Sequence, residues 1–108
     1  QQVAGWYGEA LKGKVETPVV PEGYRSAWAQ YTVRADDRQG LMGKLKDAGI
    51  PTAIYYPRPL HLQTAFERCG YGMGTMPVSE RAAGGVFSLP MHPYLEREQV
   101  RLLERTLF

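Results

Sequence analysis

The span from Ala27 to Tyr56 leaves the least freedom in how this chain can fold. Ala27, Ala29, Tyr31 and Val33 fall on one side of an extended backbone, and Trp28, Gln30, Thr32 and Arg34 on the other. That is the period-2 pattern of a half-buried strand. Asp36 or Asp37 then offers an acceptor to the free amides of a helix start, and Leu41, Leu45 and Ala48 recur at helical spacing. Gly49 suits a left-handed C-terminal residue, and Pro51 prevents the helix from continuing. Thr52 to Tyr56 resumes as a second strand, broken by Pro57 and Pro59. A strand, a punctuated helix and another strand in so short a stretch commit the chain to helix packed on sheet.

The flanks extend this pattern. Val3, Trp6, Tyr7 and Leu11 predict a helix over the first dozen residues, weakened by Gly5 and Gly8 and ended by Lys12-Gly13-Lys14. Thr17 to Gly23 is expected to be irregular, Leu60 to Cys69 to hold a short helix, and Gly70, Gly72 and Gly74 to form a flexible loop. Ser79 caps a predicted helix through Ala83, followed by a third strand, Val86 to Leu89, and a turn at Pro93. Glu98 to Phe108 is amphipathic, with Val100, Leu103 and Leu107 on one face. The expected fold is α+β: a small three-stranded sheet with helices mainly on one face, and Trp6 and Trp28 in the core.

Composition removes several function classes. At 108 residues the chain is one domain, and its net charge of +2 comes from basic residues interleaved with acids. A phosphate-binding surface needs clustered cations, so no nucleic-acid partner is expected. No apolar run approaches the roughly 20 residues of a membrane helix, and Gln1 to Lys12 does not resemble a signal peptide. Cys69 is the single cysteine, which fits a reducing cytoplasm, and with only His61 and His92 beside it no metal site is expected. No serine lies in a Gly-x-Ser-x-Gly setting, and the glycines of 70–74 lack the Gly-Lys ending of a phosphate loop.

Two loops carry recognition chemistry. Tyr55-Tyr56-Pro57-Arg58-Pro59-Leu60-His61-Leu62-Gln63 follows a strand end with two phenols, a guanidinium, an imidazole and a carboxamide on backbone stiffened by proline. Ser88 to Tyr94 repeats the ingredients after the next strand, and the two loops are expected to meet. Adjacent residues of a strand point oppositely, so one of Tyr55 and Tyr56 is expected to be structural and the other to face a ligand. Arg58 reads equally as a ligand contact or as plain surface, and His61 as a ligand contact or as a partner of a loop carbonyl. His92 reads as a turn residue.

At these same positions the sequence resembles the DegT/DnrJ/EryC1/StrS family of sugar aminotransferases. The resemblance is carried by Tyr56 to Gln63, Pro77-Val78-Ser79-Glu80-Arg81-Ala82-Ala83 and Ser88 to Leu95, with Ala27 to Val33 and Gly49-Ile50-Pro51-Thr52 upstream in the same order. It implies the small carboxy-terminal domain of a fold-type I, aspartate-aminotransferase-like enzyme that uses pyridoxal phosphate. Residues 1–12 would end a helix linking to a large domain, and 17–108 would form the small domain. The implied activity is transfer of an amino group, from glutamate, to a nucleotide-linked keto sugar. The nearest likeness is to enzymes aminating 3-keto sugars of the UDP-N-acetylglucosamine uronic acid type, in amino-sugar or surface-polysaccharide biosynthesis. Members of the family form homodimers whose active sites draw on both subunits.

By this resemblance Tyr55, Tyr56, Arg58 and His61 are substrate-binding, and no residue here is catalytic or cofactor-binding. The cofactor lysine and the acid paired to the pyridine nitrogen would lie in the large domain. Lys12, Lys14, Lys44 and Lys46 all sit in polar surroundings, unlike a lysine tuned by burial. The abrupt ends at Gln1 and Phe108 fit a piece cut from a longer protein, inactive alone. Departures are Tyr55, where relatives often have histidine, Thr75-Met76 in place of an acid–aromatic pair, and Gly84-Gly85. The competing reading is a noncatalytic interaction or regulatory domain.

Overall fold

The computed structural model describes residues 1–108. Its helices are α1 (Gln2–Leu11), α2 (Arg38–Asp47), α3 (Pro77–Gly85) and α4 (Arg97–Leu107), and its strands are β1 (Tyr31–Arg34) and β2 (Val86–Leu89). The strands pair antiparallel, with Tyr31 opposite Leu89 and Val33 opposite Phe87. These four side chains are buried on one face, where Val3, Tyr7 and Leu11 of α1, Leu41 and Leu45 of α2, and Val100, Leu103 and Leu107 of α4 close over them. Helices on one face of an antiparallel pair is the arrangement the alternating pattern predicts.

The expected three-stranded sheet is corrected to two strands, because the second predicted strand does not form. Thr52–Tyr56 supplies only a single bridge, in which Ala53 and Ser88 exchange both backbone bonds, at 3.1 and 2.7 Å. Tyr56 lies at φ 56, a left-handed conformation that ends any extended run, and Pro57 follows it directly. A matching bridge joins Glu16 to Arg34 on the outer side of β1. The sheet is therefore two strands with one bridged residue on each flank. The strand predicted from Ala27 is also shorter, beginning at Tyr31, because Trp28 is left-handed at φ 54.

Helix α2 follows its punctuation. Asp37 accepts the Gly40 amide at 3.1 Å, and the end is a Schellman motif: Gly49 N–H donates to Lys46 O, and Ile50 N–H to Leu45 O. Gly49 takes φ 75 there. Helix α3 starts two residues before the predicted Ser79 cap, because Pro77 occupies its first turn with a preset φ. Helix α4 begins with a capping box between Glu96 and Gln99. Leu60–Leu62 and Thr64–Cys69 form 3-10 turns rather than one short helix.

Helix α1 has no side-chain cap and contains Gly5 and Gly8, so its stability comes from what it buries. Tyr7 is the main contributor. Its ring stacks on Tyr31, centroids 4.9 Å apart, and Tyr31 stacks on Trp28 at 5.4 Å. The Tyr7 hydroxyl donates to Pro90 O at 2.7 Å, joining α1 to the loop after β2. Trp6 is only partly buried, and Ala4 takes the core position expected of it.

Tyr7→Phe keeps the ring and leaves Pro90 O without its donor, so unfolding should cost about 0.5–1.5 kcal/mol less, read from denaturant melts. Burial, reinforced by the neighbouring Tyr31 phenol, also raises the Tyr7 pKa well above the usual range. A raised folded pKa means this stabilisation is complete below the unfolded value of about 10 and is lost as pH rises beyond it. The wild-type melting temperature should therefore fall more steeply above that pH than the melting temperature of Tyr7→Phe.

Candidate functional site

The loop after the Ala53 bridge holds its polar groups outward. Tyr55 is 47% exposed and Tyr56 77%. The expectation that one of the pair is core fails, because the left-handed Tyr56 breaks the extended geometry on which alternation depends. Arg58 is also exposed. Its carbonyl accepts the Gln63 carboxamide at 3.3 Å, while Leu62 N–H bonds Pro59 O and Gln63 N–H bonds Leu60 O. The loop is thus closed by its own bonds, with both phenols and the guanidinium left free of it.

The two loops do meet. Tyr55, Gln30, Pro51, Leu89, Pro90 and Met91 line a small cleft of about 210 Å³ beside the Ala53–Ser88 bridge. The second loop contributes mostly structure. Ser88 is buried against Thr32, with their hydroxyls 2.7 Å apart. His92 O accepts Leu95 N–H, as a turn residue should. A larger open groove of about 1030 Å³ lies elsewhere, beside Lys14, Glu16, Arg34, Asp36, Asp37 and Arg81. Its charges alternate in sign, and Arg34 pairs with Glu16 and Lys14 with Glu104, so it gathers no set of groups around one ligand.

His61 is separated from the exposed set. It is 8% exposed, and its Nε2 lies 3.5 Å from Glu80 Oε2, within ion-pair range, while making no hydrogen bond to any group. Glu80, in the first turns of α3, is the residue that sequence reasoning missed. Its carboxylate accepts Gly74 N–H at 2.6 Å and Met76 N–H at 2.9 Å. The readable signal was the spacing Met76-Pro77-Val78-Ser79-Glu80, a proline helix start with an acid positioned to reach back. The Gly74 bond is the largest influence holding the Glu80 carboxyl below the usual carboxylate range; partial desolvation opposes it, and Met76 and His61 reinforce it.

Beyond His61 the chain runs outside its own core. Every residue from Thr64 to Ser79 is exposed, including Phe66, Tyr71, Met73, Met76 and Val78. An apolar run of this kind is characteristic of a surface that meets another surface. No helix is long and apolar enough to cross a membrane.

Pyridoxal phosphate needs a lysine held in a dry pocket. All four lysines are exposed; Lys14 pairs with Glu104, and Lys44 Nζ reaches only Leu107 O. The residues present do not fit that cofactor.

Taken together, these elements form an α+β domain whose Tyr55–Arg58 loop faces outward. The chain belongs to the DegT/DnrJ/EryC1/StrS aminotransferase family, whose model matches residues 1–107. It is 41% identical over 104 residues to the UDP-2-acetamido-2-deoxy-3-oxo-D-glucuronate aminotransferase of Pseudomonas aeruginosa, covering 95% of this chain and 28% of that protein. A pleiotropic regulatory protein of Geobacillus stearothermophilus is 46% identical over 91 residues, covering 84% of this chain and 24% of that protein. Among solved structures, a family aminotransferase from Brucella abortus superposes with a TM-score of 0.88 at 44% identity, over 98% of this chain and 28% of that one. S. venezuelae DesV superposes with a TM-score of 0.91 at 33% identity, over 97% and 29%. The chain therefore spans under a third of the length of these relatives.

Glu80 supplies a pH test. A depressed carboxyl pKa means its contribution is present at neutral pH and is lost as pH falls through that lowered value. The Gly74 and Met76 amide resonances should hold constant from neutral pH into the ordinary carboxylate range. They should shift only below it, together, in an NMR titration.

Proposed function

We propose that this chain is the carboxy-terminal small domain of a pyridoxal-phosphate-dependent aminotransferase that aminates a nucleotide-linked 3-keto sugar, in cytoplasmic amino-sugar or polysaccharide biosynthesis. The observation that carries the reading is the loop Tyr55–Arg58, where two phenols and an unpaired guanidinium stand exposed on proline-stiffened backbone. The 3-oxo and 3-dehydro sugars in the names of relatives from Pseudomonas aeruginosa and Acidithiobacillus ferrooxidans support the substrate class. The phenols would donate to sugar hydroxyls or phosphate oxygens, and Arg58 would attract the pyrophosphate. Presenting them from a closed loop lowers the ordering cost of binding. When bound, pyridoxal phosphate would supply the electron sink for amino transfer; its lysine, pyridine-pairing acid and phosphate ligands would belong to the part of the enzyme outside residues 1–108. The exposed Thr64–Ser79 segment would be covered by that part or by the second subunit of a homodimer.

Borohydride reduction in the presence of pyridoxal phosphate separates this from a noncatalytic regulatory domain, the reading favoured by the Geobacillus relative's name. The 108-residue chain should take up no stoichiometric label. The longer protein that carries it should take up one label per chain, on a lysine outside residues 1–108. A label on Lys12, Lys14, Lys44 or Lys46 would refute the reading, and no label on the longer protein would favour the regulatory one.

Tyr55 and Tyr56 are both exposed, so Phe at either position should leave the melting temperature of the enzyme unchanged. Each substitution that removes a bond to substrate should raise KM for the nucleotide sugar, by about 0.5–1.5 kcal/mol for a neutral partner or about 1.5–3 for a phosphate oxygen. Steady-state kinetics within twofold of wild type for Tyr55→Phe, Tyr56→Phe and Arg58→Ala alike would show that this loop is scaffold.

A further inference from the structure

The contact between His61 and Glu80 joins two segments that the sequence keeps well apart. His61 sits in the turn that closes the Tyr55–Gln63 loop. Glu80 sits in α3 and gathers the end of the glycine-rich segment through Gly74 and Met76. The two side chains are 5% and 11% exposed, in a region where nearly everything else faces solvent. Glu80 Oε2 lies 3.5 Å from His61 Nε2, within ion-pair range, and Nε2 makes no hydrogen bond elsewhere in the chain, so the carboxylate is the charged group this buried nitrogen faces. A buried ring nitrogen without a hydrogen bond is uncommon, which makes its approach to the Glu80 carboxylate the contact to be explained.

Helix α3 is itself fixed to the core. Arg38 Nη1 donates to Ala83 O at 2.7 Å and Val86 O at 3.2 Å, and Ala35 N–H donates to Gly85 O. From this anchored helix Glu80 reaches both loops at once. We propose that His61 and Glu80 form a buried clasp that holds the Tyr55–Gln63 loop and the Gly70–Met76 segment as one surface. Both are then positioning residues: His61 acts on substrate through the loop that bears Tyr55, Tyr56 and Arg58, and touches no ligand. The clasp joins the polar groups of the first loop to Tyr71, Met73 and Met76 of the second, a surface with a phenol- and guanidinium-bearing part and an apolar part.

The clasp is tested on the 108-residue chain by amide hydrogen exchange, with the β1–β2 ladder as internal control. His61→Ala should speed exchange at Gly74 and Met76 by about tenfold or more, since a charge-assisted contact is lost, and leave the ladder unchanged. His61→Gln, whose carboxamide also donates, should restore most of the protection. Glu80→Gln covers the case in which His61→Ala does not fold: it should loosen Leu62 and Gln63 as well as Gly74 and Met76. Wild-type exchange at Gly74 and Met76 in His61→Ala, equal acceleration in the ladder, or a Glu80→Gln effect confined to Gly74 and Met76 would each overturn the clasp. Its link to substrate rests on the proposed function and is read separately in the longer enzyme, where His61→Ala should raise KM for the nucleotide sugar more than it lowers kcat. Loosened loops with unchanged KM would leave the clasp standing and sink the site assignment.

Discussion

The stack of Trp28, Tyr31 and Tyr7 is the constraint from which the rest of the domain is built. Tyr31 is the only ring in contact with both others, and it lies in the strand at the centre of the core. Through Tyr7 the stack holds a helix whose own sequence is a poor helix former. Through the Tyr7 hydroxyl it fixes Pro90, and so the path of the chain leaving β2. Through Trp28 it holds the segment before β1, where Gln1 bonds both the indole nitrogen and Ser26 O. Helix α1 and the Trp28–Tyr31 stretch thus share one set of ring contacts, and offset aromatic pairs of this kind contribute beyond the area they bury.

The sequence was most legible where each turn of structure has its own local cause. Asp37, Gly49 and Pro51 act on their immediate neighbours, and α2 lies where they place it. The alternation of Tyr31 to Arg34 and the apolar stripe of α4 were readable for the same reason, since one buried face imposes a period on each. What was not readable depended on single backbone angles. Trp28 and Tyr56 are left-handed without being glycine or asparagine, and nothing in their local sequence announces it. One shortened the first strand, and the other reduced the expected second strand to a bridge and turned both tyrosines outward. Family resemblance pointed to this loop, yet it could not tell that His61 points inward to Glu80, because that depends on a residue some twenty positions away.

The candidate site occupies the margin where this small core gives out. One face of a two-stranded sheet, three helices and Leu95 of the loop before α4 account for the buried cluster, and residues 64–79 stay outside it. Such a chain holds its outer loops by polar contacts: Gln63 to Arg58 O, and Glu80 to two backbone amides and an imidazole. Polar closure of this kind suits a recognition edge, because it fixes backbone while leaving side chains free to meet a ligand or a second surface.

The two left-handed aromatic residues differ in how their strain is offset. A side chain in this conformation costs roughly 1–2 kcal/mol. Trp28 recovers it inside the domain, by stacking on Tyr31, by the Ser26 hydroxyl on its amide and by Gln1 on its indole. Tyr56 has no comparable partner: it is 77% exposed, and its hydroxyl bonds nothing in the chain. Strain that the surrounding fold does not use is common where a side chain must be aimed at something else. Holding the strained residue in place are Pro57 and the closed turns beyond it, which are in turn held by His61 on Glu80. The conformational cost thus points Tyr56 away from the core, and the loop behind it is braced by its own turns and by His61 beside Glu80.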